Sequence, residues 1–227
     1  MNIGFFHVDR RTIASEENYT CAKALVQSVR DVMPEARVVQ FTDTTTKAVK
    51  DVDEVRRKPH EPMALLRMRH HAGVDGEWLF VDTDVLFQHN VSSIWTLTFD
   101  IGLTSRAWDH LKPAMGFSER MPFNTGVVFS RCPWFWQEVY CRLRQLEPEL
   151  QQWMGDQEVI CEMALEDAGR YDVRVLNGRT LNFPPALSDP TTAYEKALSD
   201  AAIVHYKGPK RKRLMIERIR QERRACA

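Results

Sequence analysis

The segment at residues 77–87 constrains the fold of this chain more than any other. Trp78–Val81 is a short, continuous apolar run, Asp82 and Asp84 interrupt it, and Val85–Phe87 resumes it. Such a run predicts a strand that is buried on both faces, as in a parallel sheet. A carboxylate beside it is costly to bury unless a cation compensates the charge, and hard divalent cations prefer oxygen ligands. Because open α/β sheets bind ligands at the carboxyl ends of their strands, the segment predicts a metal site there.

The same Asp-x-Asp pattern also occurs in solvated turns and at helix N-caps. A solvated turn, however, does not require an apolar run on each side of it. The flanking runs therefore favour the metal site over the turn.

Charge is distributed unevenly along the 227 residues. Lys plus Arg and Asp plus Glu both number 31, but residues 207–227 hold nine basic residues and only two acidic ones. The C-terminal segment thus carries an excess of seven positive charges, and the rest of the chain carries the matching negative excess. An acidic body with a basic tail indicates that the tail contacts an anionic surface.

Other compositional features predict a soluble cytoplasmic protein. The five cysteines are scattered without zinc-binding spacing, which is typical of a reducing compartment. The N-terminus has the pattern of a first strand rather than of a signal peptide, and no window approaches the roughly 18 apolar residues of a membrane span.

Periodicity predicts an α/β fold in one domain, residues 1–206, followed by a basic C-terminal helix in residues 207–227. The first part is expected to alternate as β-α-β-β-α-β, which is typical of a parallel, nucleotide-binding type of sheet. Its predicted strands are 2–8, 37–42, 51–57 and 78–81, and its predicted helices are 15–33 and 63–71. The second part is predicted to be mixed, with strands at 99–104, 124–130, 171–176 and 201–205 and helices starting at Pro133, Asp156 and Pro209. Residues 105–122 are predicted to be a long functional loop on the acceptor side, with Trp108, His110 and Phe117 available for stacking.

Four motifs, taken in order, resemble one enzyme family. They are Val81-Asp82-Thr83-Asp84, Phe123-Asn124-Thr125-Gly126-Val127, Gly155-Asp156-Gln157-Glu158 and His205-Tyr206-Lys207-Gly208-Pro209-Lys210. Their order and spacing resemble the glycosyltransferases of the GT-A fold, and in particular the group of glycogenin and the bacterial lipopolysaccharide galactosyl- and glucosyltransferases. The resemblance covers nearly the whole chain and implies a mixed central sheet flanked by helices. It also implies transfer of a sugar from a nucleotide-diphosphate sugar, with a uracil-type base fitting the family, and retention of anomeric configuration.

The resemblance implies a metal site made of Asp82, Asp84 and His205. Here a Mg²⁺ or Mn²⁺ ion would stabilise the leaving diphosphate, and the imidazole ligand favours Mn²⁺. Without the motif, His205 would be more typical of a core histidine at a strand end. Gly208 would let the backbone approach the phosphates, and Lys210 or its neighbour Arg211 would pair with them; both could instead belong to a solvated basic helix. Arg67 is either a further phosphate contact or an exposed helix charge.

The resemblance also assigns residues to the nucleotide and the sugar. The base and ribose would lie beside the ends of the first two strands and the metal motif; the residues there are His7, Val8, Asp9, Thr42, Asp43, Asp82 and Thr83. Asn124, Thr125 and Gly126 would line the donor sugar, although Asn and Gly are also turn residues. Asp156 would bind sugar hydroxyls while also serving as an N-cap, and Gln157 would lie near the anomeric carbon.

Two rival functions and three surfaces for the tail stay open. The rivals are a sugar-1-phosphate nucleotidyltransferase and a catalytically inactive binding module of the same fold. The expected partners are a nucleotide sugar and a glycan or other hydroxyl acceptor. The apolar side of the basic helix is expected to be buried against the acidic body, with an anionic membrane as the second choice. Nucleic acid is the last, because nothing else in the chain reads bases.

Overall fold

A computed structural model describes residues 1–9, 13–106, 121–152, 154–166, 169–187 and 192–225. The predicted acceptor-side loop, with Trp108, His110 and Phe117, lies outside the described residues apart from its two ends. None of the described helices combines the length and the hydropathy that a membrane span needs.

The N-terminal half contains the predicted parallel sheet. Its strands are β1 (Asn2–Phe6), β2 (Arg37–Asp43), β3 (Glu54–Lys58) and β4 (Trp78–Val81), joined by helices α1 (Ile13–Val32) and α2 (Met63–His71). They are ordered β3-β2-β1-β4 and are all parallel, so their carboxyl ends meet at one edge. The first strand is two residues shorter than predicted, although the His7 amide still donates to the carbonyl of Phe41.

The second half adds three strands of mixed direction to this sheet and forms a separate two-stranded sheet. Its strands are β5 (Val85–Phe87), β6 (Ile101–Ser105), β7 (Phe123–Ser130), β8 (Val173–Leu176) and β9 (Ile203–His205). Strand β7 lies between β4 and β6 and is antiparallel to both. Strand β8 pairs with β6 and is the edge strand of the seven-stranded sheet that the described residues form. The helices are α3 (Pro133–Leu143), α4 (Pro148–Gln152), α5 (Gly155–Glu166), α6 (Gly178–Leu181), α7 (Thr192–Asp200) and α8 (Pro209–Ala225), with a 3₁₀ helix at Ser92–Thr96.

Strand register places the motif residues at one point. Val81 pairs with Val127, and the Asp82 amide donates to the carbonyl of Gly126. In the separate two-stranded sheet, β5 pairs with β9 so that Val85 lies opposite His205. Residues far apart in sequence therefore meet where β4 ends.

The core has helices on both faces of the sheet. On one face, Leu79 and Val81 pack with α1 residues such as Leu25 and Val29. On the other face, Trp78 and Phe80 pack with α2, α3 and α5. This alternation along β4 is the period of two that a strand requires, and it confirms that the strand is buried on both sides.

The basic C-terminal helix α8 packs on the body of the same chain, as the sequence predicts. Met215 and Ile216 are buried in a third apolar cluster together with Cys21 and Ala24 of α1. Arg213 lies 3.7 Å from Glu17 of α1. The apolar side of the helix is therefore covered by the protein itself.

Candidate active site

Two carboxylates and one imidazole converge at the end of β4. One side-chain ligand atom from each of Asp82, Asp84 and His205 lies within 4.8 Å of the others. His205 Nε2 is 3.3 Å from Asp84 Oδ1 and 3.6 Å from Asp82 Oδ2. The side chains of Asp84 and His205 are 7% and 3% exposed, whereas that of Asp82 is 34% exposed, so the cluster opens to solvent on the Asp82 side.

The His205 ring is oriented by Asn182, which follows α6. His205 Nδ1 lies 2.8 Å from Asn182 Oδ1. The Asn182 NH₂ group donates to Thr104 Oγ1 at 2.6 Å and to Asn124 Oδ1 at 3.1 Å. These bonds show that the Asn182 carbonyl oxygen faces the histidine, so Nδ1 carries a proton and Nε2 is the ring nitrogen that faces the carboxylates.

Gly126 of β7 lets this ring approach the Asp-x-Asp motif. A Cβ atom at this position would overlap the His205 ring and would lie 2.8 Å from Asp82 Oδ2. The reason for glycine here is close approach rather than turn conformation. The Asn-x-Gly motif thus has a geometric role at the metal cluster.

Two cations compensate the carboxylates. Arg67 of α2 donates to Asp82 Oδ1 at 3.0 Å, and its other terminal nitrogen lies 2.6 Å from Asp156 Oδ2. Its side chain is 19% exposed, so Arg67 is not an exposed helix charge. Burial opposes the charge on Arg67, but Asp156 and Asp82 outweigh it and hold its pKa above the ordinary value.

Lys212 of α8 is the second cation. Its Nζ lies 3.5 Å from Asp84 Oδ2 and 2.8 Å from Asn18 Oδ1 of α1. Burial by itself would raise the pKa of Asp84, but His205 and Lys212 outweigh it and hold the pKa below the ordinary value. Three carboxylates (Asp82, Asp84 and Asp156) thus face two fixed cations, which leaves one negative charge uncompensated when His205 is neutral.

The predicted nucleotide residues lie at the neighbouring strand ends. His7 is buried after β1, and its carbonyl accepts from the Thr42 hydroxyl at 2.6 Å. The Asp43 carboxylate accepts from the amides of Thr45 and Thr46 at 3.0 and 2.7 Å. Burial would raise the pKa of Asp43, but these hydrogen bonds hold it below the ordinary value. Val8 is half-buried and Asp9 is exposed, with its amide bonded to Thr46 Oγ1 at 2.8 Å.

The predicted sugar residues lie at the start of α5 and on β7. Asp156 and Gln157 are buried, and so are Asn124 and Thr125. Arg106 donates to Gln157 Oε1 at 2.6 Å, and Thr125 Oγ1 lies 3.4 Å from the same oxygen. Gln157 Nε2 lies 3.2 Å from the sulfur of Met121. The glutamine amide is therefore held at both ends.

At the start of α8 the basic residues point in different directions. Gly208 has φ +87°, a left-handed conformation that favours glycine, and Lys210 is exposed. Arg211 Nε donates to the carbonyl of Pro185 at 2.6 Å. Lys212 is the residue that reaches the acidic cluster, and the notion that Lys210 or Arg211 binds phosphate stays a prediction.

Three residues that contact the predicted site residues are not themselves predicted by the sequence: Asn182, which contacts His205, Arg106, which contacts Gln157, and Lys212, which contacts Asp84. For Asn182 and Arg106 the sequence holds no local signal, because their partners lie on other elements. For Lys212 a signal exists, since it precedes the buried Met215 and Ile216 by three and four residues and shares their face of the helix. Thr83, placed between the two aspartates, is also buried.

Comparisons with known proteins agree on the fold. Neither the scan against protein-family models nor the search of curated proteins found a match. Among solved structures, a galactosyltransferase, LgtC, in complex with donor and acceptor sugar analogs is 15% identical, with a TM-score of 0.56 over 92% of this chain and 88% of that one. A glycosyltransferase involved in glycosylation of the major capsid of PBCV-1 is 18% identical, with a TM-score of 0.58 over 94% and 98%. The glycosyltransferase GlyE of Streptococcus pneumoniae is 12% identical, with a TM-score of 0.56 over 91% of this chain and 55% of that one. With its mixed seven-stranded sheet flanked by helices, the chain therefore has the GT-A glycosyltransferase fold.

Proposed function

We propose that this protein is a metal-dependent glycosyltransferase. It would move a sugar from a nucleotide-diphosphate sugar, with a UDP-sugar as the first candidate, to a hydroxyl group of a glycan or another acceptor. The observation that carries the proposal is the cluster of Asp82, Asp84 and His205 at the carboxyl edge of the sheet. In an α/β sheet this edge is where ligands bind.

The three side chains fit a divalent cation. Metal–ligand bonds of about 2.0–2.6 Å separate the ligands of one ion by up to roughly 5 Å, and the observed atoms lie within 4.8 Å of one another. Because Asn182 accepts from Nδ1, His205 Nε2 is the nitrogen that faces carboxylate oxygens at 3.3 and 3.6 Å. A cation, whether a proton on Nε2 or a divalent ion between the three groups, holds such atoms together. A mixed imidazole and carboxylate set favours Mn²⁺, and Mg²⁺ is the alternative.

A bound divalent ion would act as a Lewis acid on the leaving diphosphate. The protein supplies the surrounding charge: the uncompensated negative charge attracts the ion, and Lys212 Nζ, 3.5 Å from Asp84, is available to a diphosphate beside it. Gly208 has φ +87°, and none of the described atoms lies within 4 Å of the point that a Cβ would occupy there, which leaves room for phosphate oxygens near the start of α8. Lys210, or Arg211 beside it, is the further phosphate contact that the motif predicts.

The remaining site residues divide by position. His7, Val8, Asp9, Thr42 and Asp43 lie at the ends of β1 and β2 and would border the base and ribose. Asp82 and Thr83 follow β4 at the same edge of the sheet and would contact the ribose. Asn124, Thr125 and Gly126 of β7 would line the sugar.

Asp156 and Gln157 are the residues proposed to act at the sugar. Arg67 holds Asp156 at 2.6 Å and Asp82 at 3.0 Å, and this fixes the sugar-binding carboxylate relative to the metal ligands. A preorganised contact of this kind can stabilise the transition state. Gln157 is a neutral amide held by Arg106, and a neutral amide is a poor nucleophile. This supports a front-face path with retention, in which the leaving phosphate helps to deprotonate the acceptor. An active-site glutamine-to-glutamate mutant is among the similar structures, in the LgtC galactosyltransferase.

The proposal is tested with a panel of nucleotide sugars and Mn²⁺, with and without excess chelator. Release of free nucleoside diphosphate that stops in chelator is the expected result. Asp84→Ala should abolish turnover and Mn²⁺ binding measured by calorimetry without donor, while exposed Asp75→Ala, in the turn before β4, serves as the matched control.

Each other outcome identifies a rival. Full turnover in chelator refutes metal dependence. Consumption of added pyrophosphate, with formation of a nucleoside triphosphate and a sugar-1-phosphate, identifies a nucleotidyltransferase. Absence of turnover with every donor identifies an inactive binding module. Peripheral membrane contact would use the outward side of α8, where Lys210, Arg213 and Arg220 are exposed, and liposome sedimentation tests it.

A further inference from the structure

We propose that Asn182 is a positioning residue that sets the metal ligand and the sugar contact at the same time. The inference rests on the proposed function, since it concerns the metal and sugar of that site. No motif in the sequence marks Asn182, and its hydrogen bonds alone assign its role.

The amide of Asn182 is buried and fully engaged. Its side chain is enclosed after α6, with the residue 6% exposed, and its backbone amide donates to the carbonyl of Gly178 at 2.9 Å. On the side-chain amide, the NH₂ group lies 2.6 Å from Thr104 Oγ1, 3.1 Å from Asn124 Oδ1 and 3.3 Å from the Asn124 carbonyl. Since all three contacts are oxygens, they require the nitrogen on this side, and the carbonyl oxygen must face His205.

This orientation decides which nitrogen of His205 binds a metal. Asn182 Oδ1 lies 2.8 Å from His205 Nδ1 and can only accept a hydrogen bond. Nδ1 therefore carries a proton, and Nε2 is left as the nitrogen that can bind a metal beside Asp82 and Asp84. An outer partner that fixes the tautomer and ring orientation of a ligating histidine is a general feature of metal sites.

The same amide orients Asn124 of β7. Asn124 Oδ1 accepts from Asn182 Nδ2 at 3.1 Å and from the Gly126 amide at 2.9 Å. The carbonyl end of Asn124 is thereby committed to the protein interior. Its NH₂ group, at the other end of the amide, is then the donor that would meet a hydroxyl of the sugar.

One side chain therefore connects two functions that lie on different elements. Loss of the Asn182 carbonyl should affect the metal, whereas loss of its NH₂ group should affect Asn124 and so the sugar. Two substitutions separate these effects. Asn182→Leu removes both ends of the amide, and Asn182→Asp keeps an acceptor for His205 Nδ1 but loses the donor to Asn124.

The experiment combines nitrogen NMR with calorimetry. In protein labelled with ¹⁵N-histidine, the wild type and Asn182→Asp should show a proton bound to Nδ1 of His205, and Asn182→Leu should show one on Nδ1 only in part of the molecules. By calorimetry without donor, Asn182→Leu should bind Mn²⁺ about 10- to 100-fold more weakly. Asn182→Asp should bind Mn²⁺ at least as tightly as the wild type but lose turnover.

The matched control is Asn177→Leu, which removes the exposed N-cap of the same helix. Its oxygen accepts from the Arg179 amide at 2.9 Å at the start of the helix, whereas Asn182 follows the end of the helix. This variant should keep both tautomer and affinity. Urea unfolding of all three variants checks that each is folded at the assay temperature.

Wild-type Mn²⁺ affinity in Asn182→Leu, or an equal loss of affinity in Asn182→Asp, would overturn the inference. An unprotonated Nδ1 of His205 in the wild type would overturn it as well, whether or not Mn²⁺ binds. If the wild type binds no Mn²⁺ while the tautomer is as expected, the metal-dependent function fails and the orientation of His205 stands.

Discussion

Gly126→Ala should damage the metal site by displacing its ligands, above all His205. Gly126 lies in β7, antiparallel to β4, and the added methyl group would overlap the His205 ring. It would also lie 2.8 Å from His205 Nδ1 and 2.8 Å from Asp82 Oδ2. Both neighbours are polar atoms of the proposed metal cluster rather than the flexible ends of apolar side chains.

The size of the effect follows from these distances. Ordinary contact begins at 3.4 Å, so Nδ1 must retreat by about 0.6 Å and the ring carbon by more. Ligand distances in metal sites vary by only about 0.2 Å, and a ring that has moved this far no longer completes the site. The loss of Mn²⁺ affinity should be at least as large as the roughly 10- to 100-fold loss caused by a disturbed outer partner. Overpacking should also lower the free energy of unfolding by about 1–3 kcal/mol.

Gly102→Ala is the matched control. A Cβ at Gly102 of β6 would lie 2.8 Å from Leu176 Cδ1 and 3.2 Å from Phe129 Cβ, which is crowding of the same kind among apolar atoms. Calorimetry with Mn²⁺ and thermal unfolding should show a similar loss of stability in both variants but a loss of affinity in Gly126→Ala alone. Wild-type Mn²⁺ affinity in Gly126→Ala, with stability reduced, would refute the argument that His205 is held as a ligand by this close approach.

Three further predictions concern Asp156, Lys212 and His70. Asp156→Asn should lower kcat by orders of magnitude more than it weakens binding of the nucleoside diphosphate, because its contact is with the sugar; equal losses in kinetics and calorimetry would make it a structural cap. Lys212→Met should strengthen Mn²⁺ binding without nucleotide and weaken nucleoside diphosphate binding. The change expected for a partly buried pair at 3.5 Å is about 1 kcal/mol, or roughly fivefold, and unchanged calorimetric constants would contradict it. Burial lowers the pKa of His70 to about 4. The unfolded chain therefore binds more protons than the folded one at pH 4–6.5, and stability should be complete above about pH 6.5 and fall by up to about 3 kcal/mol toward pH 4. His70→Gln should lose less over this interval in urea unfolding, and a loss equal to that of the wild type would contradict the assignment.

Elements with a strong repeating pattern could be predicted from the sequence. Helix α2 and strand β4 have the predicted bounds, because Pro62 and the two glycines that follow delimit the helix and the apolar run delimits the strand. Strand β5 is visible in the sequence only as a resumed apolar run. Its three residues become a strand through pairing with β9, more than a hundred residues later, and no local propensity encodes that pairing.

The site divides in the same way. Asp82, Asp84 and His205 belong to motifs whose order indicates the fold, and the structure brings them together. The role of Asn182 depends on Thr104, 78 residues earlier, and on the register of β6 with β7, which contains an irregularity between Leu103 and Thr104. A polar residue whose partners are all distant has no signature in a single sequence.

The C-terminal helix links the charge asymmetry of the chain to its site. Met215 and Ile216 pack α8 against α1, and this packing determines the position of Lys212 relative to Asp84. Arg213 faces Glu17, and Arg218 donates to Gln88 Oε1 at 3.1 Å, so other charges on the helix are matched to the body away from the site. A divalent ion bound to Asp84 repels Lys212, and a diphosphate attracts it. We therefore expect the ion alone to loosen the first turns of α8, because the ammonium group of Lys212 loses its contact with Asp84. The ion with nucleotide should tighten these turns, because the same ammonium group then contacts the phosphate.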